Sequence, residues 1–166
     1  MRSSILILLA TAALALPHAL EARKSDREQP MAVRSDRQVG GMGDDDSIVL
    51  SGNVVIEQGS LKVDAARATV ERRDGAVVRV LLEGAPVRIR QLDERGEPID
   101  ASASRVSYAP DDEIMVLSGS ARVVQKRGEL TAETIRYNLD TGQVDSGGDG
   151  NRVQMIIQPK ARAAAN

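Results

Sequence analysis

The stretch Leu50-Ser-Gly-Asn-Val-Val-Ile-Glu-Gln58, followed by Ala65-Ala-Arg-Ala-Thr-Val70, decides the fold because it occurs three times in the chain. The second copy is Leu82-Glu-Gly-Ala-Pro-Val-Arg-Ile-Arg-Gln91 with Ala103-Ser-Arg-Val-Ser-Tyr108, and the third is Leu117-Ser-Gly-Ser-Ala-Arg-Val-Val-Gln125 with Ala132-Glu-Thr-Ile-Arg-Tyr137. Their glycines, Gly52, Gly84 and Gly119, are spaced by 32 and then 35 residues. A period in this range is typical of stacked arrays, in which no single unit buries its apolar face alone.

Apolar and polar residues alternate inside each copy with a period of two. Val87 and Ile89, for example, alternate with Arg88 and Arg90. This period predicts β-strands that bury one face and leave the other in water, whereas helical spacing does not account for it. The frequency of β-branched residues favours the same interpretation.

The alternation breaks at one point in every copy. Ala103 and Val106 are three residues apart, so strict alternation would place them on opposite faces. The equivalent pairs in the other copies are Ala65 with Ala68 and Ala132 with Ile135. A break that repeats three times predicts a bulge or corner, which bends the strand and returns its side chains to one face.

Turn sequences join these strands into antiparallel pairs. Gln58-Gly-Ser60 and Lys126-Arg-Gly128 connect strands within a copy, and Arg73-Asp-Gly75 connects the first copy to the second. We therefore predict an all-β fold of roughly a dozen antiparallel strands, in a curved sheet that folds over on itself. A closed lipocalin-like barrel need not repeat its sequence, and the rungs of a parallel β-helix are usually shorter than this unit. Both alternatives fit less well.

The first 22 residues are typical of a secretory signal peptide. Arg2 provides a basic start, residues 5–16 form an apolar run, and Leu20-Glu-Ala22 is an acceptable cleavage site. A membrane anchor is the alternative, although the run is shorter than a bilayer-spanning helix. The predicted organisation is a signal peptide at 1–22, a flexible lead-in at 23–30, one β-domain at 31–158 and a flexible tail at 159–166.

The composition excludes several classes of function. The chain has 166 residues and no cysteine, and its one histidine, His18, lies in the predicted signal peptide. The predicted mature chain therefore lacks nucleophile–histidine catalysis and the usual zinc and copper ligands. Two Tyr and no Phe or Trp leave little that could stack on sugar rings. A net charge of −2 does not indicate a nucleic-acid partner.

Four stretches of the chain carry a resemblance to a known family. They are Pro30-Met-Ala-Val-Arg-Ser-Asp36, Leu50-Ser-Gly-Asn-Val-Val-Ile-Glu-Gln-Gly-Ser-Leu-Lys-Val-Asp-Ala65, Ala103-Ser-Arg-Val-Ser-Tyr108 and Ser118-Gly-Ser-Ala-Arg-Val123. As an ordered set, behind a predicted signal peptide and without cysteine, they resemble the OstA-like domain family of lipopolysaccharide export proteins. The resemblance covers residues 30–158, which is almost the whole predicted mature chain.

The resemblance implies a twisted, partly open β-jellyroll that acts as a periplasmic bridge in Gram-negative bacteria. Its implied ligand is lipopolysaccharide, with the lipid A acyl chains inside the groove. The implied partners are a component of the inner-membrane export complex, the outer-membrane insertion complex and further copies of the chain stacked end to end. It implies no cofactor, no metal and no catalytic residue. Because the sequence also lacks an ATP-binding glycine loop, we expect a passive carrier and not an enzyme.

An apolar inner wall suits such a ligand. An acyl chain of a dozen carbons costs on the order of 10 kcal/mol to expose to water, at about 0.8 kcal/mol per methylene. Our candidates for the lipid-binding groove lining are the alternating apolar residues Met31, Val33, Val54, Ile56, Leu61, Val63, Val87, Ile89, Ile99, Val106, Tyr108, Val123, Leu130, Ile135 and Tyr137. The alternative is that they fill an ordinary packed core, and the sequence does not separate the two.

The first and last predicted strands are candidates for docking to partners. They would be sheet edges if the series does not close, and edge backbone groups recruit partner strands. Residues 153–157 contain no charge that would discourage such pairing. The candidate docking residues are Met31, Val33, Val153, Met155 and Ile157. An edge shielded by the C-terminal tail is the alternative.

Charged clusters outside this pattern are interpreted as solvated turns. Residues 44–46 and 111–113 are acidic, but they lie in predicted turns and lack the spacing of a calcium loop. The bases Arg72, Arg73, Arg88, Arg90, Lys126 and Arg127 either attract lipid phosphates at the groove mouth or only keep the protein soluble. A second function therefore stays open, that of a structural docking module of envelope assembly that binds protein partners and not lipid.

Overall fold

The computed structural model describes residues 26, 28–41, 43–139, 141, 143–147 and 152–159. The predicted signal peptide at 1–22 lies outside the described residues, as does the predicted tail apart from Pro159. Within the described part of the chain, no helix is long and apolar enough to cross a membrane.

The described part of the chain forms ten β-strands, which confirms the all-β prediction. They are β1 (Ala32–Arg34), β2 (Arg37–Gly40), β3 (Ile48–Gln58), β4 (Leu61–Arg73), β5 (Ala76–Leu92), β6 (Pro98–Ala109), β7 (Ile114–Gln125), β8 (Gly128–Asn138), β9 (Val144–Ser146) and β10 (Gln154–Ile157). They form one antiparallel sheet, in which β3 to β8 are neighbours in chain order. The hairpins between them follow the turn sequences at Gly59, Gly75 and Gly96.

Both edges of the sheet consist of two short strands. β1 and β2 pair with different parts of β3, and β9 and β10 pair with different parts of β8. The described strands at the two edges do not pair with each other, so the sheet is open, as predicted.

Every long strand bends near its middle. The pairing register shifts at the same level in each of the five ladders between β3 and β8, for example between Ser102 and Arg105 on β6. Ala103 and Val106 flank this shift and are both buried, which confirms the corner predicted from their odd spacing. The corners of β3 and β7 use glycines with positive φ, Gly52 and Gly119.

The corners divide the sheet into two wings. The β1–β10 wing comprises β1, β10 and residues 54–58, 61–65, 87–92, 98–103, 121–125 and 128–132, and the β2–β9 wing comprises β2, β9 and residues 48–51, 67–73, 76–83, 105–109, 114–118 and 134–138. Buried aliphatic side chains from both wings form a single core cluster at the bend. The sheet is therefore folded over on itself, with its apolar face inside.

The outer face carries charges that pair across neighbouring strands. Glu83 and Arg105 stand directly opposite each other on β5 and β6, with an N–O distance of 3.1 Å. Arg90 similarly bonds Asp64 of β4 at 3.2 Å. A slip of one residue would move these charges into the core and the aliphatic residues into water, so the two faces together fix the register.

Two features of the fold differ from the prediction. The six long strands pass through their corners without ending, so the described residues form ten strands and not about a dozen. The short strands β2 and β9 were not predicted, because three or four residues with few apolar side chains carry almost no periodic signal.

Candidate functional site

An unbroken apolar row crosses the inner face of the β1–β10 wing. It takes one residue from each of eight strands, and each stands directly opposite the next: Val33, Ile56, Val63, Ile89, Ala101, Val123, Leu130 and Met155. With strands about 4.8 Å apart, this apolar row is about 34 Å long and runs from one sheet edge to the other.

A second row faces it from the β2–β9 wing. Its members, again paired strand by strand, are Ile48, Val70, Val80, Tyr108, Met115, Tyr137 and Val144. The first row stands one or two positions from the register shifts, and the second row stands three positions from them. Largely apolar walls, aliphatic on one side and including two Tyr on the other, therefore border the space between the wings.

A cavity of about 280 Å³ lies between the wings at the C-terminal end of the sheet. This volume is near the lower end of the range for ligand pockets. Its lining includes Ile89, Ile99, Ala101, Met115, Leu117, Val123, Leu130, Ile135, Tyr137, Leu139, Val144, Met155 and Ile157, together with the more polar Gln91, Gln125, Arg127 and Glu129.

Small residues explain why the sheet is hollow there. Ala101 is the smallest member of the apolar row, between Ile89 and Val123, and Gly128 contributes no side chain opposite Gln125. Closer to the corner the space is filled, because residues such as Val87 pack without any exposed surface. The same face of the sheet is therefore solid at the bend and open away from it.

The predicted lining residues fall into three groups. Ile89, Ile99, Val123, Leu130, Ile135 and Tyr137 line the cavity. Val54, Ile56, Val63, Val87 and Val106 are buried in the core cluster, and Leu61 packs against it. Tyr108 is half-buried in the second row, while Met31 and Val33 are exposed beside β3. Whether any of them touches a lipid stays a prediction.

Sequence reasoning missed several residues of the cavity. Met115 and Leu117 follow the same period-two pattern on β7 and could have been found from it. Met155 and Ile157, predicted only as docking residues, also line the cavity. Ala101 was missed because a small side chain gives no sign in the sequence that space is left beside it.

Polar groups gather along one rim of the cavity, where β5 and β7 end. Gln91 donates a hydrogen bond from Nε2 to Oδ2 of Asp26 at 3.4 Å. Asp26, which lies in the predicted lead-in, is buried and also accepts a hydrogen bond from the Ser60 hydroxyl. Gln29 is held as well, because its carbonyl accepts from Nε2 of Gln58 at 3.0 Å. The described lead-in residues thus pack against the hairpin between β3 and β4.

Three of the six bases predicted at the groove mouth bond to other protein groups. Lys126 pairs with Glu97 at 2.6 Å, and Arg90 with Asp64. Arg72 donates to the Gly43 carbonyl at 2.6 Å, which fastens the loop between β2 and β3. Among these bases only Arg127 lines the apolar cavity.

One cross-strand pair on the outer face changes the titration of both partners. Arg122 donates to both carboxylate oxygens of Glu129, at 2.6 and 2.8 Å. This bond lowers the pKa of Glu129 and raises the pKa of Arg122. The pair stabilises the charged forms of both side chains across β7 and β8, and Glu129 also lines the cavity.

The acidic clusters make hydrogen bonds that belong to turns. Asp45 accepts from the backbone N–H of Asp74 at 2.9 Å, and Asp46 from that of Gly43 at 2.8 Å. In the described ranges, no group of three or more His, Cys, Asp or Glu side chains could hold a metal ion.

The candidate docking residues lie at or beside the two sheet edges. Val33 is in β1, and Met155 and Ile157 are in β10, where their side chains are 62% and 74% exposed. Met31 and Val153 are exposed just outside these strands. The apolar row therefore ends at an exposed apolar residue on each side.

The fold and the cavity together define a class of protein, an open, folded antiparallel sheet whose inner face suits an aliphatic ligand. The family described as "LptA/(LptD N-terminal domain) LPS transport protein" matches residues 32–143. The chain belongs to this family, which confirms the resemblance found in the sequence.

Individual relatives agree over nearly the whole chain. The lipopolysaccharide export system protein LptA of Haemophilus influenzae is 30% identical over 161 residues, which cover 95% of this chain and 92% of the relative. LptA of Escherichia coli K12 is 27% identical over 159 residues, 94% of this chain and 85% of the relative.

A solved structure has the same architecture. It is that of LptH from Pseudomonas aeruginosa, described as the LptA-homologous periplasmic component of the conserved lipopolysaccharide transport device. It superposes with a TM-score of 0.71 at 28% identity and covers 81% of this chain and 99% of LptH.

Proposed function

We propose that this protein is a periplasmic bridge that binds lipopolysaccharide and carries it from the inner to the outer membrane. The observation that carries the proposal is the apolar row, which crosses all eight strand levels and continues into an apolar cavity. Membership of a lipopolysaccharide transport family supports the choice of ligand.

The energetics favour a covered path of this kind. Acyl chains lying between the wings escape the cost of about 0.8 kcal/mol per methylene that water imposes. The sugars and phosphates stay outside in water, so they need no aromatic side chains to stack on. The low aromatic content of the protein, with two Tyr and no Phe or Trp, agrees with this arrangement. Because the apolar row is aliphatic along its length, an acyl chain can slide along it without losing a specific contact at each step.

The two edges suit end-to-end assembly. β10 of one copy can pair with β1 of the next, because both present unpaired backbone groups and apolar side chains. In such a stack Met155 of one copy would approach Val33 of the next, and the apolar row would continue across the junction. Contacts between unlike edges do not close on themselves, so they build rods.

The same edges account for the other partners that we propose. A component of the inner-membrane export complex would occupy one end of the rod, and the outer-membrane insertion complex the other. Export to the periplasm would follow cleavage of the predicted signal peptide at 1–22. The protein would act as a conduit without enzymatic activity, driven by energy supplied at the inner membrane.

Site-specific crosslinking in cells tests the proposal. A photoreactive amino acid at Ile89, which lines the cavity, should capture lipopolysaccharide. The same amino acid at Arg88, the preceding residue on the outer face, is the matched control and should capture little. Capture at position 88 but not at position 89 would contradict the proposal.

A docking module that binds only proteins is the second candidate, and the exposed apolar residues of β10 favour it. It predicts protein adducts at positions 155 and 157 and no lipid adduct at position 89. Crosslinks to protein at the edges together with lipid inside would support the bridge, in which both surfaces are used.

A further inference from the structure

The side chain of Gln125 has an unused hydrogen-bond donor at the cavity. Gln125 lies two positions after Val123 on β7, so it points to the inner face, and it lines the cavity. Its amide nitrogen, Nε2, is enclosed and bonds to no atom of the described residues. A buried donor without a partner costs free energy, so such a group indicates a partner that arrives from outside.

The neighbours of Gln125 leave room for that partner. It stands opposite Ile99 on β6 and Gly128 on β8, neither of which offers a side-chain acceptor. Gln91, on the same rim of the cavity, provides the contrast, because its Nε2 already donates to Asp26. Of these two amides, Gln125 is the one that remains available.

We propose that Gln125 donates a hydrogen bond to the carbonyl oxygen of a bound fatty-acyl group, at the ester or amide bond where the chain joins its head. This inference rests on the proposed function, and it adds a residue that recognises the acyl linkage. The acyl chain would lie along the side chains of Val123, Leu130 and Met155.

The position of the donor fits this linkage. Most of the wall is aliphatic and can only shelter the methylenes, whereas Gln125 is at the polar rim, where the acyl chain must meet its polar head. Arg127 and Glu129 both line the cavity, and Glu129 is already paired with Arg122, so Arg127 is the cation that an anionic head would meet there. The hydrogen bond from Gln125 would therefore fix how deeply the acyl chain enters the cavity, because it holds the acyl carbonyl at the rim.

Two probes that differ only in the carbonyl test the inference. They are a myristoyl-ester lysophospholipid and its myristyl-ether analogue, titrated against the purified mature protein below their micelle concentrations. We expect the ester to bind about five-fold more tightly, which corresponds to one net hydrogen bond. In Gln125→Leu this preference should disappear, while binding of the ether is unchanged or stronger.

The matched control is Gln154→Leu, the same substitution on the outer face of β10, which should keep the ester preference. A thermal melt gives a second readout. Gln125→Leu should melt at the same or a higher temperature without ligand, because it removes an unsatisfied buried donor. A structural role would instead lower the melting temperature and leave the ester preference intact, and that result would overturn the inference.

The two proposals fail in different ways. Equal binding of ester and ether by the wild-type protein overturns the role of Gln125 but leaves the carrier function standing. If neither probe binds and position 89 captures no lipopolysaccharide, both proposals are overturned together.

Discussion

Single residues set the sharpness of the corners. Gly119 has φ +80°, a conformation that residues with a side chain rarely adopt. It also lies so close to β6 that an added Cβ would come within 2.8 Å of both Cβ and Oγ of Ser104. Glycine is therefore required at this corner for two separate reasons, backbone conformation and close approach.

Gly119→Ala should destabilise the fold by more than Gly75→Ala does. Gly75 has nearly the same φ, +79°, but its nearest neighbour, Oδ1 of Asp44, is 3.5 Å from an added Cβ, an ordinary contact. We expect about 1 kcal/mol for Gly75→Ala from backbone conformation, and about 2 to 3 kcal/mol for Gly119→Ala once the steric clash is added. Urea denaturation of both variants measures the difference. Equal losses would show that the approach to Ser104 is not tight.

The pair formed by Arg122 and Glu129 gives the stability a defined dependence on pH. Its hydrogen bond lowers the pKa of Glu129 in the folded state, so folding favours the charged carboxylate. The contribution is therefore fully present above the ordinary glutamate pKa of about 4.3 and is lost as the pH falls through the lower folded value. Because both groups are exposed, the effect is small.

Glu129→Gln should lower the melting temperature slightly at pH 7 and leave it unchanged in acid, where Glu129 is protonated in both states. The measurement is the difference in melting temperature between wild-type and variant from pH 7 down to pH 3. In an Arg122→Gln background the same substitution should keep only the smaller pH-dependent effect that the hydrogen bond from Thr131 contributes. A difference that persists at the acid end, or undiminished in that background, would assign the effect to another interaction.

Among the elements, the six long strands could be predicted and the four short ones only in part. The period of two identified β5 and β6, and the odd spacing of Ala103 and Val106 revealed their bend, because both signals depend on the chain alone. β1 also followed from alternation, and β10 from a last half-unit of the repeat, although both are shorter than predicted. β2 and β9 form because they pair with β3 and β8. Such pairing produces almost no periodic pattern in the sequences of the short strands themselves.

The candidate site was predictable in its chemistry but not in its shape. Alternation predicted that Ile89 and Val123 face inward. The same rule predicted that Val87 faces inward, but Val87 is fully buried in the packed core and borders no open space. The cavity depends on how far the wings diverge and on gaps left by Ala101 and Gly128, which are three-dimensional properties. The unsatisfied donor of Gln125 could not be predicted from the sequence for the same reason, because whether a hydrogen-bond donor has a partner depends on its three-dimensional surroundings.

The lead-in also acquires its structure from its neighbours, through Asp26. Asp26 accepts from the Ser60 hydroxyl, and Oγ of Ser60 in turn accepts from the backbone N–H of Leu92 at 3.1 Å. Asp26→Ala removes the acceptor that orients Ser60, so the amide of Leu92 should exchange with solvent about ten-fold faster. Hydrogen exchange of the mature protein measures this, and Asp36→Ala, which loses a bond to Asn53 at the far corner, is the control. Unchanged exchange at Leu92 would mean that Asp26 does not hold the hairpin.

At the scale of the whole molecule, the two ends of the apolar row differ in their surroundings. At the β1 end, Arg34 pairs with Glu57 beside Val33, so charges flank the edge. At the β10 end, Met155, Ile156 and Ile157 follow one another without a charge and are all exposed. The charges beside Val33 oppose pairing of two β1 edges with each other, whereas β10 carries no such charge. The proposed contact between unlike edges therefore depends on β10.

Met155→Lys should therefore weaken self-association while leaving the fold intact. The substitution places a charge where the apolar row would continue into the next copy, and an inward-pointing charge on an edge strand opposes pairing. Sedimentation velocity should show wild-type protein growing in size with concentration, whereas the variant needs about ten-fold more protein for the same size, the cost of losing roughly one buried apolar side chain. Val77→Lys, at an exposed position on β5 away from both edges, controls for added charge and should associate like wild type. If both variants associate equally, the apolar row plays no part in joining copies, and a continuous path for acyl chains along a rod would lose its support.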